Sequence, residues 1–478
     1  MYYRLSILWA TLVVLAACSR AFDPDIRTGA IPRLTDGQPE IQFSAIAYID
    51  DEVIHPVIDV DLDIMYGSLI YRERGGVFSA GVIIQTDVYL VIDEENEEFE
   101  RIESVRERID VRDEDRSITR NRDTFSYNER IEVDPGKYMV VVQVTDRSSN
   151  KSTLRRENVV VFDPNGSSPN LTHIKVYTSD LNHRIHEFPL TTYSIPAKMD
   201  TIKFEYQVTR PEGSEPLAIQ MRLMKFTTDT LPPRPISGVT PSTGTLQHRG
   251  INYNKSEVIE SQERILDQET GTITIEYITK RPSSGNYRFE VDVGSVNSEN
   301  PELYKARDFS SMSENFPNVI SAYELAKPLV YLMRRGEYRE MLEISDKDSL
   351  KNKIDRFWLS NMGNKDQARR VIEEYYQRVE HANKQFTNFK EGWMTDMGMV
   401  YVLFGPPWYV ERTLNTMVWI YGHNRDDPNR VFRFERTRMD SDSQPFEHYI
   451  LQRQSQYHTV EYEQIQRWLY GTILVRPL

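Results

Sequence analysis

Gly392-Trp393-Met394-Thr395-Asp396 is followed, two residues on, by Met399-Val400-Tyr401-Val402-Leu403-Phe404-Gly405-Pro406-Pro407. A Gly-Trp step, a polar Thr-x-Asp step, an apolar run rich in β formers and a Gly-Pro-Pro stop predict a turn, a strand and a second turn. Upstream, the periodicity is helical. Residues 323–335 carry Leu325, Leu329 and Leu332 on one face, with Pro328 placed to kink or split the helix. Ser345 is a candidate cap for a second helix holding Leu350, Ile354, Phe357 and Trp358 on one side. A third, 365–388, has Ile372, Tyr375, Tyr376, Val379, Ala382, Asn383 and Phe386 in a stripe at steps of three and four. Downstream, 416–421, 431–436 and 448–452 alternate as strands, and 460–469 can close the chain as a helix. Helices followed by a small antiparallel sheet define an α+β domain, expected over 310–478.

The pieces of this region resemble the GWxTD-domain proteins, a family of bacterial envelope proteins. The resemblance rests on the pentapeptide, Phe357-Trp358, the segment Glu374-Tyr375-Tyr376-Gln377-Arg378-Val379, Ala382-Asn383, Gly405-Pro406-Pro407, and Trp419-x-Tyr421. It covers roughly residues 310–455. One departure is the long polar stretch 436–444 after Glu435, where the family's late strand usually leads through Asp and Gly-rich residues. The resemblance implies an envelope location and no established reaction.

Two uses of the pentapeptide compete. An enzyme would pair Asp396 with His381 or Glu380 as an acid–base group near the Thr395 hydroxyl, with Trp393, Trp408 and Trp419 as an aromatic platform for a sugar or peptide. In the structural alternative, Trp393 fills the junction between helices and sheet, while Thr395 and Asp396 bond backbone amides of the turn. The structural use is favoured, because aromatic stripes at helical spacing are mostly core. The chain has no HExxH, no GxSxG, no phosphate-cradling glycine loop and no spaced set of metal ligands, so no cofactor and no metal are expected.

Residues 41–163 form runs of β-branched and aromatic residues between turn signals, among them 41–49, 57–66, 86–92 and 138–145. Such spacing without an amphipathic helix predicts an antiparallel, immunoglobulin-like β-sandwich. The acidic run 93–100 lacks the spaced ligands of a calcium loop and fits a solvated hairpin tip. Asp163-Pro164-Asn165-Gly166-Ser167-Ser168-Pro169 is a linker. A second sandwich is expected over 170–300, interrupted by a long irregular insert, 231–254, Pro-rich then polar, that fits a binding loop or a disordered excursion.

At the N-terminus, Arg4 precedes an apolar run, 7–17, and Leu15-Ala16-Ala17-Cys18 follows the layout of a secretory signal over 1–17. Its end resembles a bacterial lipobox, which implies that Cys18 is lipidated. Cys18 is the one cysteine in the chain, which rules out intramolecular disulfides and zinc–cysteine sites. Residues 18–40, with Pro24, Gly29, Pro32, Gly37 and Pro39, have the composition of a tether. Ser19 follows the cysteine with no acidic residue beside it, and resemblance to lipoproteins of double-membraned bacteria implies the periplasmic side of the outer membrane.

The whole chain has 478 residues, a net charge of −14, 27% charged residues and a mean hydropathy of −0.55. That length exceeds one hydrophobic core, and that charge disfavours a nucleic-acid partner. The expected function is a non-enzymatic scaffold or interaction lipoprotein, with the membrane reached through Cys18, an envelope protein as partner, and an exposed aromatic surface around Trp408 and Tyr409. The alternative is an envelope hydrolase, or a carbohydrate or peptide binder, with its site at the Gly392–Asp396 turn.

Overall fold

In a computed structural model the described residues are 28–29 and 37–475, apart from 51–54, 94–97, 121–123, 181, 183, 186–188, 268–270, 299–300, 363, 414, 423–426 and 438–445. The expected signal sequence 1–17, Cys18 and most of the expected tether 18–40 lie outside them. The chain is mostly β, and its sheets are antiparallel except where Ser194–Ile195 joins the strand Leu303–Ser311 in parallel.

The first β unit has a three-stranded sheet, in the order Ile41–Asp50, His55–Met65 and Thr124–Glu132. Its five-stranded sheet is built around the long strand Val77–Asp93, which pairs with Glu98–Asp113 on one side and Gly136–Asp146 on the other. Alternation sorts the faces: Ala80, Val82, Ile84 and Val88 point inward and meet Ile58, Val60, Leu62 and Ile64 from the other sheet in one apolar core. The acidic run 93–100 spans the ends of the paired strands Val77–Asp93 and Glu98–Asp113, and its residues 94–97 lie outside the described residues.

The second β unit repeats this arrangement. Met199–Arg210 is the centre of a four-stranded sheet, with Gly271–Lys280 along one side of it, and Leu217–Thr228, Gly285–Ser295 and Ile251–Leu266 belong to a five-stranded one. Phe204 and Phe289 stack at 4.2 Å between the two sheets. The strand Leu303–Ser311 pairs along Gly285–Ser295, so this sheet runs past residue 300, where the sequence placed its end. The polar text of 303–311 hid a strand whose last residues alone are buried.

The C-terminal part begins with α1 (Ala322–Ala326), where Ser321 and Glu324 form a capping box. Pro328 ends α1 and opens a 3-10 turn, Lys327–Tyr331, as its missing N–H dictates. Then come α2 (Arg335–Leu342), α3 (Lys347–Asn361), α4 (Lys365–Phe386), α5 (Asp396–Phe404) and α6 (Tyr457–Leu469). Asp346, not Ser345, caps α3, its carboxylate accepting from Ser349 N–H at 2.8 Å. Between α5 and α6 the chain forms a sheet in the order Tyr409–Arg412, Thr416–Ile420, Val431–Arg436 and Tyr449–Leu451, and Thr28–Gly29 from the N-terminal region pairs along its Tyr409–Arg412 edge.

The run 399–404, expected as a strand, is helical. It forms most of α5, and Asp396 together with every residue from Gly398 to Phe404 is buried. A short continuous apolar run has no periodicity to separate a buried strand from a buried helix. The ends decide it: the Thr395 hydroxyl accepts from Gly398 N–H at 3.0 Å as an N-cap, and Gly405 terminates the helix at φ +81°.

Candidate functional site

Gly392–Met394 form a single 3-10 turn between α4 and α5. A Cβ on Gly392 would lie 1.9 Å from the Ala382 carbonyl oxygen, and one on Gly398 would lie 1.9 Å from the Gly392 carbonyl oxygen. Three backbones therefore touch where only hydrogen fits. Asn383 fixes the turn from α4: its Oδ1 accepts from Trp393 N–H at 3.2 Å and its Nδ2 donates to Pro317 O at 2.9 Å. The Thr387 hydroxyl accepts from Gly392 N–H at 2.9 Å, and the Thr395 hydroxyl donates back to Gly392 O at 2.7 Å. Trp393 is buried against Tyr331, whose hydroxyl donates to Trp393 O, and its indole N–H donates to Glu391 at 2.7 Å.

Asp396 does not bond the amides of its own turn, as the sequence suggested. Both carboxylate oxygens accept from the Arg453 guanidinium, at 2.6 and 2.8 Å, and one also takes Leu451 N–H at 2.7 Å. The pair is nearly closed to solvent, with side chains 1% and 7% exposed. Arg453 has further acceptors in the insert of the second β unit: Arg234 O at 3.0 Å and Pro235 O at 3.1 Å. That insert runs over the C-terminal part as a strap. Glu461 of α6 accepts from Ile236 N–H at 3.0 Å and from the Ser237 hydroxyl at 2.6 Å, and Ile236 is wholly buried in the C-terminal core.

A second joint lies beside the first. Lys390 bonds Asp229 at 2.5 Å and Leu231 O at 3.0 Å, all from a buried position. Phe389 packs on Gly250, where a Cβ would meet its ring at 2.4 Å, and its carbonyl accepts from Asn286 Nδ2 at 2.7 Å. His448 stands edge-on to Phe389 at 4.9 Å, with Nδ1 3.3 Å from Asn388 Nδ2. Burial, reinforced by the Lys390 charge, pushes the His448 imidazole down to about 3.

The acid–base grouping is not assembled. Glu380 accepts from Val319 N–H at 3.2 Å, His381 is half-buried on α4, and neither is among the partners of Asp396. Nor do the tryptophans form a platform, since Trp393 and Trp419 are each 1% exposed and Trp408 is 38% exposed. Trp419 is core, between Phe434 and Phe386. Phe357 and Trp358 pack edge-on, and Trp358 meets Tyr375 of α4 at 5.4 Å. The Tyr421 hydroxyl donates to Gly405 O at 2.7 Å, which ties the stop of α5, with half-buried Pro406 and buried Pro407, to the sheet. Tyr375 and Tyr376 donate to Pro328 O and Leu325 O, and Arg378 lies over Trp468 at 4.9 Å.

Arg453, Lys390, Asp229 and Glu461 carry this arrangement and stood outside every motif. The one local signal was the insert itself, too long to be an idle loop in a compact domain.

Two β units, the second of them strapped to a helix-and-sheet unit, make this a modular, β-rich protein. Residues 296–470 match the family model of the GWxTD domain, and the chain carries a GWxTD domain over that range. No curated protein matches it. Among solved structures, red sea bream transglutaminase is similar at 10% identity over 57% of this chain and 31% of its own, with a TM-score of 0.18. A Salmonella alpha-2-macroglobulin reacted with methylamine gives 14%, 59%, 17% and 0.18. The C-terminal domain of the Streptococcus pyogenes antigen I/II-family protein AspA gives 9%, 58%, 99% and 0.17. The chain thus spans less than a third of the first two proteins.

Proposed function

We propose that this chain is a non-enzymatic interaction module of the bacterial cell envelope. In this reading Cys18 is lipidated and holds the protein to the periplasmic side of the outer membrane. The two β units are immunoglobulin-like spacers, and the GWxTD domain meets an envelope protein. The observation that carries the reading is the state of Asp396: both its oxygens are occupied by Arg453 and Leu451, so the most recognisable carboxylate of the motif works as a joint. Trp408 and Tyr409, 38% and 41% exposed beside the buried sheet, supply the aromatic contact surface that a protein partner would cover.

A photo-crosslinking residue at position 408 of the full-length protein tests this in cells. One stoichiometric envelope adduct, lost in Tyr409→Ala, is expected, and recovery of none counts against the scaffold. A hydrolase or glycan binder predicts instead that Asp396→Asn abolishes an activity while the thermal midpoint holds. For the anchor, Cys18→Ser should release the protein from membranes; continued membrane association refutes lipidation.

A further inference from the structure

A groove of about 560 Å³ opens on the first β unit, lined by Arg72, Arg74, Arg112 and Arg147 together with Asp110 and Ser79. We propose that this groove binds a phosphate-bearing ligand through its arginine forks.

Strand register builds the groove. Ser79 pairs with Arg72 on one side and with Arg112 on the other, and Gly81 pairs with Asp110. Opposed residues project to one face, and steps of two along a strand stay on it. Arg72, Arg74, Ser79, Asp110 and Arg112 therefore share the outer face, while Ala80 and Val82 point to the core. Arg147 arrives from the end of the neighbouring strand. Its N–H donates to Gly81 O at 2.9 Å, and a Cβ on Gly81 would meet its Cδ at 2.9 Å. The absent side chain at Gly81 is what lets Arg147 lie across the floor of the groove.

The charges are unbalanced. Four guanidiniums face one carboxylate in a chain whose net charge is −14. Asp110 is shared between Arg147 at 3.2 Å and Arg112 at 3.8 Å, and these side chains are 47%, 71% and 54% exposed for Arg147, Arg112 and Asp110. Exposed pairs of this kind hold weakly, so an incoming anion can replace Asp110 at little cost. A recess in which one sign of charge predominates concentrates ions of the other. Arginine's planar fork matches phosphate oxygens two at a time, and several forks on a pleated face suit a group with more than one negative charge. The size fits a small ligand or headgroup, since such sites run roughly 300–1,000 Å³.

Phosphate of this kind reaches a protein free in solution or borne by a lipid. Calorimetric titration of the full-length chain with inorganic pyrophosphate reads the first source, and titration with a water-soluble short-chain phosphatidic acid reads the second. Saturable one-site binding in either arm is expected, weakening as salt screens the charges. Arg72→Glu with Arg74→Glu should weaken it about tenfold or more, through loss of charge-assisted hydrogen bonds. Arg369→Glu with Arg370→Glu, an equal charge change at exposed positions of α4, should leave it intact. Binding in neither arm overturns the proposal, as does equal loss in the α4 control. If the double variant shifts the thermal midpoint, Arg112→Gln, which leaves the strand Arg72–Arg74 untouched, carries the same test.

Discussion

Asp396 and Arg453, 57 positions apart, form a bidentate pair that fastens the first turn of α5 to the segment just after the strand Tyr449–Leu451 and, through the same guanidinium, to the strap of the second β unit. Desolvating two charges is costly, and the pair persists because Leu451 N–H and the carbonyls of Arg234 and Pro235 satisfy what remains. Removing one partner is worse than removing both. Asp396→Ala should cost about 3–5 kcal/mol in denaturant unfolding, and adding Arg453→Met should recover part of it. An unchanged midpoint in Asp396→Ala would show that the pair holds nothing.

Gly392→Ala should fail to fold. Its Cβ would fall 1.9 Å from a backbone oxygen of α4, and helix and turn are both fixed by neighbours. Gly336→Ala is the contrast: that glycine lies in α2 with open space around its Cβ, and alanine there should add about 0.5–1 kcal/mol. Circular dichroism and thermal melts of the two variants read both outcomes.

Asp229→Ala leaves the Lys390 ammonium buried without its carboxylate, in the joint between the second β unit and the GWxTD domain. Weakening that joint should split one calorimetric transition into two, since each side keeps its own core. A single transition at the original temperature would mean that the strap alone couples the units.

His448 should make the joint acid-sensitive. Its folded pKa is depressed from 6.5 to about 3 by burial and by the Lys390 charge, so between those values the unfolded chain binds a proton that the folded chain refuses. Stability is therefore full above pH 6.5 and falls as pH drops toward 3, by about 2 kcal/mol near pH 5. His448→Gln should flatten that slope in urea titrations run from pH 7 to pH 4.5; an unaltered slope would refute the assignment.

Asp61 works in the opposite direction. Burial raises its carboxyl from 3.8 to about 6, against the lowering effects of the Asn128 hydrogen bond and the Lys175 charge. Between these values the folded state keeps a proton that the unfolded state has lost, so stability falls as pH rises and the cost is complete above pH 6. Asp61→Asn should remove a loss of about 2 kcal/mol across that window, measured as the difference in unfolding free energy between pH 4 and pH 7.

Local text was most legible where one face of an element is buried. The stripe of α4, the break at Pro328 and the alternation of the long β strands follow from periods of 3.6 and 2, which a chain displays before it folds. The motif was visible too, and the expected bond from Thr395 to a nearby backbone amide forms, to Gly398 N–H, because it is a contact between near neighbours; that it caps a helix is shown by the structure alone. Its run 399–404 reads as a strand and folds as a helix because full burial erases periodicity.

By itself, then, the sequence determined the order of β-rich and helical segments, the presence of the GWxTD signature and the glycines at its core. Tertiary structure alone decided that Asp396 answers to Arg453, that Lys390 answers to Asp229, and that the insert after residue 230 is a strap with Ile236 in another unit's core. The physical reason is range. Helical and strand periods are set by adjacent residues, whereas a buried charge finds its partner only after distant segments have packed around it and excluded water.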